Sequence, residues 1–128
     1  MNREELVREV ERLGAVPGVI TCSLVDGQTG MVYHTTGSKP ELEALAEAAR
    51  DYWQLHRRNS GLYRDLGAML GIVVLHQHGV INVMPCAADA VLVTLAERNR
   101  VNFSDWPARL KPLQAVLGDI GNKTKTTA

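Results

Sequence analysis

Residues 41–58 constrain this chain more than any other segment. Glu41 to Arg58 runs without a Gly or Pro, so nothing within it stops a helix. Its polar residues Glu43, Glu47, Arg50, Gln54 and Arg57 recur at spacings of four and three. At ~100° per residue they form a stripe only ~80° wide. Leu42, Ala44, Leu45, Ala46, Ala48, Ala49, Tyr52, Trp53 and Leu55 fill ~200° of the remaining circumference. His56 falls in the same arc, as a packed or interfacial imidazole. One sheet face covers a stripe of ~100° or a little more. The surplus needs a second surface, and the small side chains of Ala44 and Ala48 permit close approach there. In a chain of 128 residues that surface is most simply a copy of the same helix. The pattern therefore predicts a homodimer that meets through Ala44, Leu45, Ala48, Tyr52, Leu55 and His56.

Composition narrows the class further. Hydrophobic residues make up 45% and charged residues 22%, enough apolar side chain to offset the entropy of folding. The length suits a single domain, placed at residues 1–121, followed by a flexible polar tail at 122–128. The longest apolar run, Met69 to Leu75, is far shorter than the ~20 residues of a membrane span. Lys plus Arg and Asp plus Glu both number 14, so no global positive field exists to draw nucleic acid or an anionic membrane. Met1 is followed by Asn2, Arg3, Glu4 and Glu5 rather than an apolar stretch, so the expected compartment is the cytoplasm. Cys22 and Cys86 each sit in an apolar strand pattern and read as buried thiols, with no Cys-x-x-Cys to suggest a redox pair.

Asn2 and Glu5 form a capping-box pattern ahead of Leu6, Val7, Val10 and Leu13, which share a helical face until Gly14 and Pro17 end it. Val19 to Val25 and Met31 to Thr36 read as strands joined by the turn formers Asp26 to Gly30, an antiparallel hairpin. Gly37 to Lys39 break the chain, and Pro40 suits the first turn of the long helix. After a loop at Asn59 to Gly61, Leu66 to Gln77 reads as a long strand covered on both faces, because Ile72 to Leu75 do not alternate with polar residues. Val80 to Met84 and Val91 to Ala96 complete a meander, with loops at His78-Gly79 and Ala87 to Asp89. Asn102 to Pro107 is a loop or single helical turn, capped by Ser104 or Asp105. A last helix is expected from near Pro112 to Gly118 or Gly121. The order α-β-β-α-β-β-β-α is that of an α+β layer protein: one five-stranded antiparallel sheet with helices on its faces.

This order, with several local motifs, resembles the roadblock family, named for the dynein light chain and common in bacteria as regulators of small GTPases. Val16-Pro17-Gly18-Val19 is similar to the apolar-x-Gly-Val lead-in to the family's first strand. Leu24 to Val32 is similar to its Asp and Gly hairpin, and Leu42 to Ala49 to its alanine-rich second helix. His78 to Pro85 followed by Ala90 to Ala96 resembles its glycine hairpin and final strand. The likeness runs from about Leu6 to Glu97 and lies in the order and spacing of these parts. The last segment departs from it, since Pro107 and Pro112 interrupt what is usually one continuous helix. The resemblance implies a roadblock/longin/profilin-like layout without catalytic activity and without a cofactor. It implies a homodimer whose second helices pack together and whose third strands, here carrying Ile72 and Val74, join two sheets into one. It further implies binding to a Ras-like small GTPase or a larger scaffold.

The remaining chemistry-bearing residues are sparse. His76 and His78 have the i, i+2 spacing of a strand zinc pair but no third ligand close by. His34 has no acid partner evident in the sequence. Ser38 and Lys39 follow Gly37, yet the phosphate-loop order fails, because Val32 stands where its first Gly belongs. Cys22, Ser23 and Ser38 lack an elbow motif or triad partners. Arg57, Arg58 and Arg64 flank the loop after the long helix, as a solvated helix end or as contacts to acidic groups on a partner. Trp106 reads equally as a partner anchor or a lid on the core. Two rival readings stay open. One is a small-molecule sensing module of profilin-like or PAS-like type, with a pocket between sheet and helix. The other is a metalloenzyme using His76, His78 and His34.

Overall fold

A computed structural model describes residues 2–37, 40–87 and 89–126. The first helix, α1 (Arg3–Gly14), starts where the Asn2 side chain accepts hydrogen bonds from the backbone N–H groups of Glu4 and Glu5, and it buries Leu6, Val10 and Leu13. Five strands follow as expected in one antiparallel sheet: β1 (Val19–Asp26), β2 (Val32–Thr35), β3 (Ile72–Leu75), β4 (Val80–Pro85) and β5 (Ala90–Ala96), ordered β2-β1-β5-β4-β3. The long helix α2 (Pro40–Arg58) connects β2 to the other end of the sheet. Ser38 and Lys39, expected to lead into α2, and Ala88 of the β4–β5 loop lie outside the described residues.

Register assigns each strand residue to a layer, because directly paired residues point to the same face. Leu24, Leu92 and Met84 stand in one cross-strand row. They join Leu6, Val10 and Leu13 of α1 and Trp106, Leu110, Leu113 and Leu117 of the C-terminal region in one core. Val25, Val91, Val93 and Val83 point the other way and pack against Ala46 and Ala49 of α2. The sheet is thus sandwiched, with α1 and the C-terminal helix on one face and α2 on the other.

Four expectations need correction. The third strand is only Ile72–Leu75: Leu66 closes a 3-10 helix, Ser60–Leu66, that ends where Gly67 takes φ +83°, residues 67–71 are irregular, and His76 and Gln77 belong to the turn into β4. Nor is that strand covered on both faces: it is the sheet edge, and Val73 and Leu75 on the face away from α2 are 60% and 61% exposed. A run of β-branched residues reports strand tendency, whereas its cover depends on strand order, which the run does not encode. Downstream, Asn102 rather than Ser104 caps the 3-10 turn Phe103–Asp105, accepting from the Ser104 N–H at 3.1 Å, and Asp105 holds the N-cap position of the helix that follows without a side-chain hydrogen bond there. The C-terminal segment then divides into α3 (Trp106–Arg109) and α4 (Lys111–Thr126), which continues past Gly118 and Gly121. Glycine lowers helix stability by only about 1 kcal/mol, too little to end a helix without a left-handed turn. Residues 127 and 128 of the expected tail lie outside the described residues.

Candidate interaction surface

The surface that distinguishes this molecule is built on α2. Ala46 and Ala49 are buried, and Leu45 and Trp53 lean on the same core. A half-turn away, Ala44, Ala48, Tyr52 and Leu55 are exposed. The helix contacts β1, β2, β4, β5 and the 3-10 helix at its end, while α1 and α4 pack on each other across the sheet. The apolar arc is therefore spent on two opposite sides: one on the sheet, one open.

The polar stripe is divided too. Glu43 and Glu47 are solvated, but Arg50 and Gln54 reach down to the β1–β2 turn. Arg50 Nη1 donates to the Gln28 carbonyl at 2.8 Å, and Gln54 Nε2 donates to the Gly27 carbonyl. Gly27 N donates in turn to the Asp89 carbonyl at 2.9 Å, so this glycine ties two loops to α2. A side chain cannot fit there: a Cβ would lie 2.7 Å from both the Asp89 carbonyl oxygen and Trp53 Nε1. Gly27→Ala is expected to cost about 1–3 kcal/mol of stability, read as a lower urea midpoint. Gly61→Ala is the control, since an added carbon there meets nothing within 4 Å.

These ties orient the helix. With Arg50 and Gln54 held at the β1–β2 side, the flank carrying Leu45, Tyr52 and His56 turns toward β4 and β3. His56 stacks on Tyr63 of the 3-10 helix, ring centroids 4.9 Å apart. Beyond it, Leu62 and Leu66 are 81% and 83% exposed. Neither was singled out from sequence; the signal was two leucines four apart, one between the expected loop and strand and one at the start of that strand. Ile72 and Val74 are half-buried on the α2 side of the edge strand.

Among the open clefts along α2, two have mostly apolar walls. One, of about 480 Å³ at its C-terminal end, has Trp53, Tyr63 and Pro85 as walls and His56, Arg57 and Arg64 around them. Arg57 lies 3.5 Å from Asp89 across it. Arg58 is exposed on the outer side of the helix. The second cleft, of about 490 Å³ near the N-terminal half, is floored by Ile20, Leu45, Ile81 and Leu95 and rimmed by His76 and His78. Trp106 is not at either site: it is 1% exposed, packed in the α1–α4 core with its ring 5.1 Å from Phe103.

The histidines are dispersed. His34 Nε2 lies 2.8 Å from Glu11 Oε1 of α1, an acid partner that sequence separation concealed. No group of three or more His, Cys, Asp or Glu residues gathers as metal ligands among the described residues. No described helix is long and apolar enough to cross a membrane.

Both cysteines are free. Burial pushes the Cys22 thiol up to about 11, against the lowering effect of its hydrogen bond with Thr94, and pushes Cys86 up to about 12. In the unfolded chain these thiols ionise near their ordinary 9.0, below the folded values. The stability linked to them is therefore intact below about pH 9 and lost as pH rises toward 11 and 12. Urea midpoints should fall over that window, and iodoacetamide at pH 8 should label the folded protein far more slowly than the unfolded one. A flat stability profile from pH 9 to 11 would contradict the burial.

No protein-family model matches the sequence, and no curated protein does either. Solved structures do match in shape. A Roadblock/LC7 domain from Streptomyces avermitilis superposes with a TM-score of 0.71 at 19% identity, covering 90% of this chain and 93% of that one. Myxococcus xanthus MglB gives 0.71 at 15% identity, with 95% and 91% covered. The gliding protein MglB from Thermus thermophilus gives 0.69 at 18% identity, with 94% and 91% covered.

Proposed function

The chain has the roadblock fold, and from that premise we propose that it is a homodimeric, non-catalytic binding platform that acts in the cytoplasm on a Ras-like small GTPase. The observation that carries the reading is the open apolar face of α2 formed by Ala44, Ala48, Tyr52 and Leu55. A small domain gains by burying such a face, and helix packing supplies the means.

Charge favours a second copy as the cover. The first turn of α2 carries Glu41 and Glu43, and its last turn carries His56, Arg57 and Arg58. Two such helices laid antiparallel set the acidic end of each against the basic end of the other. The cleft around Arg57 and Arg64 at the C-terminal end of α2 offers guanidinium groups that suit carboxylates on a partner.

Sedimentation equilibrium at micromolar concentration should return twice the 14.0 kDa chain mass. A monomer throughout the range would overturn the platform reading. The partner is tested separately, by titrating a Ras-like small GTPase in its GDP- and GTP-bound forms. Saturable binding to one form supports the assignment. Absence of binding to both removes the GTPase and leaves the dimer standing.

A further inference from the structure

The apolar cleft beside the β3–β4 hairpin and the two bare leucines of the 3-10 helix lie at opposite ends of the sheet. The chain path sets this arrangement. α2 runs from the Ile20 and Leu95 end toward the Gly27 and Asp89 end, and the helix Ser60–Leu66 follows there. β3 then runs back, so the His76–Gly79 hairpin and its cleft return to the first end.

The outer edge of β3 has no hydrogen-bonded strand beside it among the described residues. Ile72 to Leu75 carry no charge, Pro or Lys to discourage pairing. A two-fold axis normal to the sheet at this edge sets two copies of β3 antiparallel and keeps both α2 helices on one face. The acidic-to-basic gradient along α2 selects the same antiparallel arrangement independently. Such a copy is reversed end for end. Its 3-10 helix therefore falls beside this protomer's hairpin, on the α2 face, where the cleft of about 490 Å³ opens.

Resting on the homodimer reading, we propose that this cleft is the socket for Leu62 and Leu66 of the second copy. Ile20, Leu45, Ile81 and Leu95 form the apolar floor, and each dimer contains the contact twice. The register bulge between Val19 and Thr21 has a purpose in this arrangement: it leaves Ile20 half-exposed at the mouth of the socket instead of paired in the ladder.

Mixed disulfide trapping tests the contact directly. Leu66→Cys protein and Ile20→Cys protein are mixed in equal amounts and mildly oxidised. Covalent heterodimers should appear in the mixture and be scarce in either protein alone; Cys22 is buried, and Cys86→Ser in both proteins removes the half-buried second thiol. In a second arm, Leu62→Ser with Leu66→Ser should raise the dimer dissociation constant at least a hundredfold. The thermal midpoint of the monomer should hold, because both side chains are already in water within the protomer. If the wild-type chain dimerises but the cysteine variants do not cross-link and the serine variant does not dissociate more readily, the socket is overturned while the platform stands. A wild-type chain that stays monomeric would remove both.

Discussion

Ala48→Glu is expected to raise the dimer dissociation constant by at least a hundredfold, measured by sedimentation or dilution calorimetry. Ala48 is exposed in the protomer and lies in the proposed helix contact. Placing an unpaired carboxylate there costs about 3–5 kcal/mol if the contact is dry, and ~1.4 kcal/mol is a tenfold change in affinity. The two-fold axis presents the substitution twice. Folding of the isolated protomer should not change, since the new side chain reaches water there. Glu47→Ala, one position away on the solvated side, should alter neither property beyond about 0.5 kcal/mol. Equal behaviour of the two variants would remove α2 from the interface.

Trp106→Ala should destabilise the fold itself by about 3–5 kcal/mol, seen as a large drop in urea midpoint. The side chain is 1% exposed among Leu6, Leu13, Leu110 and Leu113, so truncation leaves a cavity between α1 and the C-terminal helices. Trp106→Phe should lose less, because much of the volume and the Phe103 contact remain. Partner affinity per folded molecule should be the same in both variants. A variant that folds as well as wild type yet loses partner binding would make Trp106 an anchor after all.

Much of the layout was legible before any coordinates. The strands at Val19, Met31, Val80 and Val91, the cap at Asn2 and the Gly- and Pro-free helix at 41–58 all appear near their expected places. Each rests on local signals: β-branched runs, turn residues or helical periodicity. Local signals were less informative at Leu66 to Gln77. There the same apolar residues serve a 3-10 helix, a coil and an edge strand, and the selection among these depends on what lies alongside.

The candidate surface divides in the same way. Periodicity identified an arc on α2 too wide for one sheet face, but treated it as continuous. The structure splits it, with Ala46 and Ala49 inward and Ala44, Ala48 and Leu55 outward. Arg50 and Gln54 looked like solvated residues, yet they anchor the helix to the β1–β2 turn. Their partners are backbone carbonyls more than twenty residues away, and a carbonyl has no identity in a sequence.

Sequence alone determined that residues 41–58 are helical and over-apolar, that five strands form one antiparallel sheet, and that Cys22 belongs inside. These are matters of periodicity and transfer free energy, which each residue carries with it. Tertiary structure alone decided that β3 is an edge strand, that Trp106 is core, and that Leu62 and Leu66 stand in water opposite the end of the sheet that holds an open apolar cleft. Those are matters of adjacency. They depend on strand order and on the direction of the chain path, and these are settled only when every layer is packed at once.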